Sequence, residues 1–243
     1  MFFFFKKNKL VVEAFTKVQT IADVGIPRAS QFIPDWWKNI PKTIYGPNET
    51  GMAVPRQTMR SCAGFIDLYN RGHILPLWSD VLLEINETSY TWQFADHNAP
   101  GIVEHGKHQY ATEKYNFDHF RHAKLEAPWL VRCNKDVKFL AIEPTYNNLV
   151  NDYHIKYLPG VVDFKYQYGI NVNLLIPAEI RRIKMNYLDP LYHWICLEDD
   201  YNVEFKSIVV DSLEYEKLER ASNFRPHFTG SFLKARKCPF SHK

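Results

Sequence analysis

Hydrophobic and polar residues alternate over short runs along most of the chain, which is the period-two pattern of a half-buried strand. In SYTWQF, Tyr90, Trp92 and Phe94 fall on one face and Thr91 and Gln93 on the other. DVLLEI (80–85) precedes it and ends in the turn-like INETS, so residues 80–95 read as a hairpin. The same pattern marks KLVVEAF (9–15), HAKLEA (122–127), WLVRC (129–133), VKFLAIE (137–143), GVVDF (160–164), INVNLLI (170–176), LYHWICL (191–197) and NVEFKSIVV (202–210). Helical periodicity is confined to two places. SCAGFIDLYNRG (61–72) groups Phe65, Leu68 and Tyr69 and stops at Gly72, a suitable C-terminal cap. DSLEYEKLERA (211–221) offers Asp211 as an N-cap, with Glu214 three residues on and an apolar side of Tyr215, Leu218 and Ala221.

Many strands with a couple of helices predict an all-β, mainly antiparallel domain, a β-sandwich or jelly-roll-like arrangement in which each half-polar strand buries one face on another layer. Residues 16–60 break the pattern. Proline recurs at positions 27, 34, 41, 47 and 55 and alternation is absent, so this stretch reads as an irregular arm laid over the sheets. No repeat or Gly/Ser linker divides the chain. A single domain over 1–243 is expected, with the arm at 16–60, a β core at 61–210, and a helix with a basic tail at 211–243.

Composition adds limits. With 46% apolar and 23% charged residues the 243-residue chain can bury a real core, and an aromatic share of 15% favours strands. A net charge of +3 is too small for a nucleic-acid footprint, and the basic runs RRIK (181–184) and KARK (234–237) read as a solvated edge or tail. Cys62, Cys133, Cys196 and Cys238 form no C-x-x-C pair, as expected of reduced thiols in an intracellular protein. The opening MFFFFKKNK has too short an apolar run for a signal peptide, and its lysines follow that run instead of preceding it. No window approaches the ~18 apolar residues of a membrane span. Neither a nucleic-acid nor a membrane partner is expected.

The histidines crowd together: His97, His105, His108, His119 and His122 lie within 26 residues, beside Asp96, Glu104, Glu113 and Asp118. Imidazole plus carboxylate is a ligand set for non-haem iron or zinc, and His97, His105, His108 and Glu113 are the candidate ligands. The spacing fits no signature, since His105 and His108 are three apart and would point to opposite faces of a strand. Nucleophile elbows and phosphate-binding glycine loops are absent, and the chain has only ten glycines. The acidic run Glu198, Asp199 and Asp200 reads as a solvated turn.

FIPDWWKNIP (32–41) puts two indoles side by side. Pro34 and Asp35 favour one helical turn, which would send Trp36 and Trp37 in different directions, one into the core and one toward a groove or neighbour. Candidate contacts for a partner or ligand are Trp36, Trp37, Trp78, Trp194 and the adjacent His193. A pocket lined by Trp78, Trp92 and Trp194 is a further possibility.

The order PRASQFIPDWWKNIPKT, RSCAGFIDLYNRGHILPLWSD, APWLV, LPGVVDFKYQYGINVNLLI and KCPF resembles a protein family of T4-like tailed phages of marine bacteria with more distant bacterial relatives. The resemblance runs from about residue 9 to 240. In that pattern a strand enters through Gly-x-Pro-[LM]-x-[HQ]-x-[IV]-Pro. Here Pro190, Leu191 and His193 fit, whereas Leu188 stands where glycine is usual and Cys196 where the second proline would be. The resemblance implies a phage-related origin and one domain, and it brings no catalytic residue or cofactor. The expected function is that of a phage-encoded, non-enzymatic binding or assembly protein, self-associating or docking on a protein partner in the virion or the host cytoplasm. The alternative is a metal-dependent, cupin-like enzyme using iron or zinc.

Overall fold

The computed structural model describes residues 7–86, 89–96, 101–104 and 119–228. The first strand, β1 (Asn8–Thr16), buries Leu10, Val12 and Ala14 and turns Lys9 and Val11 outward, as its alternation requires. It lies inside the largest sheet. On one side it pairs antiparallel with β8 (Phe120–Arg132) and on the other parallel with β15 (Tyr201–Val209), in register from Asn8↔Tyr201 to Thr16↔Val209. A parallel pair cannot be closed by a tight turn, and here most of the chain forms the crossover. Beyond β8 come β12 (Gly169–Pro177) and β10 (Lys156–Tyr157), and β7 (Ile102–Glu104) also pairs with β8.

A second sheet has the order β11 (Gly160–Val162), β9 (Phe139–Ile142), β14 (Pro190–Cys196), β4 (Gly72–Pro76). A third places β5 (Val81–Ile85) between β13 (Arg182–Met185) and β6 (Tyr90–Phe94). These three sheets share one apolar core: Val12 of β1, Val172 and Leu174 of β12, Leu75 of β4, Leu83 of β5 and Trp194 of β14 all belong to it. Each such fully buried side chain stabilises by about 1.5–3 kcal/mol. The protein is all-β in class. Among the described residues no helix is long and apolar enough to cross a membrane.

The helices are α1 (Gln19–Val24), α2 (Asp35–Asn39), α3 (Ala63–Arg71), α4 (Asn148–Tyr153) and α5 (Ser212–Phe228). Asp211 caps α5 as expected, its Oδ1 accepting the Glu214 N–H at 2.8 Å. Tyr215, Leu218 and Ala221 pack on a smaller cluster of Phe15, Leu130, Tyr168 and Val210 on the outer face of the large sheet.

The structure departs from the sequence pattern in three places. Residues 122–127 and 129–133 are not two strands but parts of one, β8, which passes through Pro128. Its pairing with β12 jumps from Glu126↔Asn171 to Leu130↔Gly169, so the proline sits in a bulge where its missing N–H breaks no ladder bond. Residues 16–60 hold regular structure: α1, a 3-10 turn at Ala29–Phe32, α2, and a two-stranded ribbon of β2 (Thr43–Pro47) and β3 (Ala53–Gln57). Finally, Gly72 is not a left-handed helix cap. Its backbone is extended (φ −112°, ψ 179°) and it begins β4, where a Cβ would lie 1.9 Å from His193 Nε2. The close approach of His193, not helix termination, is what requires glycine there. The basic run Arg182–Lys184 forms the edge strand β13, with Ile183 buried and Arg182 and Lys184 outward, a charged edge that discourages further pairing.

Candidate functional site

The turn carrying the two tryptophans forms because Pro34 fixes the entry. Its carbonyl accepts the N–H of Trp37 at 3.1 Å and of Lys38 at 3.2 Å. Consecutive residues of a helix point about 100° apart. Trp37 is accordingly buried against Phe65, with ring centroids 4.8 Å apart, while Trp36 stays 47% exposed and meets Tyr146 edge-on at 4.9 Å. Met59, also exposed, lies against the same Tyr146.

The chain leaves this cluster at Pro41, runs out along β2, turns, and returns along β3. Asn48 builds the turn, its Oδ1 accepting from the N–H of Thr50 at 3.0 Å and of Met52 at 2.8 Å, with Gly51 in the left-handed region at φ 80°. Arg60 and Ser61 clasp the base of the ribbon by donating to the carbonyls of Ile40 and Lys42 at 3.0 and 3.1 Å. Beyond that base neither strand pairs with a third strand among the described residues. Eight of the ten strand residues are exposed and the other two, Gly46 and Val54, half-buried. Ile44, Tyr45 and Met52 stand in solvent, Tyr45 at 75% exposure.

The other predicted contact residues lie inside. Trp78 is buried edge-on to Trp129 at 5.9 Å, and Trp194 is buried among Phe164 and Phe205 at 5.1 and 5.6 Å. Trp92 is exposed and lies against Gly101, so Trp78, Trp92 and Trp194 do not line a common pocket. His193 is wholly buried beneath Tyr69, at a ring separation of 5.6 Å, and neither of its ring nitrogens has a hydrogen-bond partner among the described residues. Burial holds its pKa down at about 4, so it is neutral at ordinary pH. The proposed metal ligands His97, His105, His108 and Glu113 lie outside the described residues. Within the described residues no three His, Cys, Asp or Glu side chains converge on a common point.

A cleft of about 220 Å³ opens where the ends of the first two sheets meet. His73, second residue of β4, lines it with its ring packed on Phe205 at 4.9 Å. Arg28 crosses it: Pro27 accepts the N–H of Ile74, and the Arg28 guanidinium donates to Asn202 Oδ1 at 2.8 Å and to the Val203 carbonyl at 3.2 Å. Arg71 on the far wall is compensated by Asp199 at 2.8 Å and Asp67 at 3.4 Å. Glu198 accepts the Lys138 N–H at 3.1 Å. Within the acidic run Asp199 and Asp200 are exposed in a turn, as read from the sequence, and Glu198 and Asp199 also border the cleft. Burial above all, and then the charge of Arg28 and the neighbouring His193, pushes the His73 pKa down to about 4.

Sequence reading missed both the ribbon and this cleft. Prolines 47 and 55 disguise the ribbon, although the Asn48–Gly51 turn between two extended runs is a hairpin signal. The cleft draws on four separate stretches of chain, around residues 7, 28, 70–73 and 196–203, and no local pattern connects Arg28 with His73 and Asn202.

No protein-family model matches the chain, and no curated protein matches it. Among solved structures it is similar to a dUTPase from phage phi11 of S. aureus, at 9% identity and a TM-score of 0.29, over 65% of this chain and 90% of that one. A likeness at that score informs neither fold nor function.

Proposed function

We propose that this is a phage-encoded, non-enzymatic binding and assembly protein, acting in the virion or the host cytoplasm, and that the β2–β3 ribbon is its docking element. The observation that carries this reading is the ribbon's exposure on both faces. An isolated two-stranded hairpin is marginal in water, and three or more strands or a packed face are needed for independent stability. Among the described residues the ribbon has neither.

Its chemistry favours one edge. Pro55 sits in the middle of β3 and cannot donate, which blunts that side. β2 carries Thr43, Ile44, Tyr45 and Gly46 before its terminal Pro47, and this edge can accept another strand. The occupant that needs no second protein is another copy of the chain, because two β2 edges paired antiparallel about a two-fold axis make a four-stranded sheet from one self-complementary patch. Ile44, Tyr45 and Met52, with Trp36 and Met59 near the base, supply the aromatic and methionine surface typical of interface centres.

Replacing Ile44 and Tyr45 together by serine tests it. Both are exposed, so fold stability should stay within about 0.5 kcal/mol of the parent while self-association is lost. Association that survives the double substitution unchanged would remove the ribbon from this role.

A further inference from the structure

We infer that the cleft between Arg28 and His73 is a binding site for a small oxyanion, a carboxylate or phosphate group, separate from the ribbon. Three observations carry it. The first is charge. Arg71, Glu198 and Asp199 on the cleft wall are engaged with one another's surroundings, Arg71 with two carboxylates and Glu198 with a backbone N–H. The Arg28 guanidinium, in contrast, touches only the neutral oxygens of Asn202 and Val203 and forms no ion pair among the described residues. Lys7 adds a second cation at the rim. A guanidinium already oriented by two hydrogen bonds is a pre-organised fork for a carboxylate or phosphate.

The second is His73. Its side chain is more than nine-tenths buried, lines the cleft and forms no hydrogen bond among the described residues. Buried polar groups ordinarily have partners, so an imidazole left open toward a cleft is a group positioned for a ligand. Being neutral, it can donate one N–H to an oxyanion without adding a charge that would have to be desolvated. The third is shape: the cleft is a concave seam walled by strand ends from two sheets, with the amides of Asn70 and Asn202 available as uncharged hydrogen-bonding groups. A guanidinium with no ion-pair partner among the described residues, an ammonium and neutral donors, beside acidic wall residues already engaged by Arg71 and a backbone N–H, favour a compact anion.

The test is a titration of the full chain with inorganic phosphate at fixed pH and ionic strength, following the imidazole NMR signals, with the His73 signal identified by its loss in His73→Gln. The expected result is a saturable shift of His73 in the parent. In Arg28→Gln binding should weaken at least about tenfold, the loss of one charge-assisted contact, whereas Arg71→Gln, already compensated by acidic neighbours, should change it by less than about threefold. If Arg28→Gln fails to fold, Arg28→Lys takes its place and should still shift His73 at higher phosphate. A parent in which His73 does not respond to phosphate, or responds identically without the Arg28 charge, overturns the inference.

Discussion

Gly72 and His193 illustrate how a single contact constrains this fold. The imidazole fills the place a side chain at 72 would occupy, and the Trp194 carbonyl stands 2.9 Å from the same point. Gly72→Ala is expected to destabilise by roughly 2–4 kcal/mol, the cost of overpacking a rigid site, and His193→Ala in the same chain should restore part of that loss. Chemical denaturation of the single and double variants checks it. The two buried histidines also tie stability to pH. His73 and His193 are held at about 4 when folded, against an ordinary value of 6.5. Between these values the unfolded chain binds more protons, so stability is fully present above about pH 6.5 and falls as pH drops toward 4, by on the order of a few kcal/mol for the pair. Denaturation midpoints across that range should show the slope, and His193→Gln should flatten it. A third site is Leu188, which has φ 69° in the turn between β13 and β14. A branched side chain in the left-handed region costs about 1–2 kcal/mol, partly offset by the flexibility glycine adds to the unfolded chain. Leu188→Gly is expected to raise stability by about 0.5–1 kcal/mol, and glycine is the residue that the resembled pattern places there.

At the scale of elements, strands with clean alternation were readable. β1 and β12 bury every second residue over part of their length, β15 alternates half-buried or buried with exposed positions over most of its length, all three fall where period two puts them, and α5 has both the cap and the apolar side its sequence announces. What was not readable has a physical reason in each case. Pro128 looked like a break because proline removes a ladder donor, yet a bulge tolerates it. β4 is buried at every position from Gly72 to Pro76, so it has no alternation to read. The ribbon is exposed on both faces, so it lacks the opposite signal, a buried side. The tryptophan turn was legible to the direction of each indole, because the helical offset between neighbours is fixed by geometry. Which indole became the exposed one depended on where Phe65 and Tyr146 lie, and that is tertiary information.

Among the described residues a shared apolar core stands beside a ribbon that it does not cover. Three sheets converge on a single apolar interior, and the first and last strands, β1 and β15, close the largest of them side by side. Against this background the ribbon stands out as a pair of strands that no third strand joins among the described residues. In the sequence the proposal of an assembling protein rests on the aromatic surface of the arm, the basic tail and the lack of a recognisable catalytic motif. The structure moves the weight of that proposal onto the neighbouring strands, with Trp36 at their base, while Trp37, Trp78, Trp194 and His193 serve the interior. The most direct measurement is the solution mass of the full chain by sedimentation equilibrium over a wide concentration range. The expected result is a mass rising to twice that of one chain as concentration increases, and a return to one chain when Ile44 and Tyr45 are replaced by serine. A single-chain mass for the parent at every concentration would contradict it.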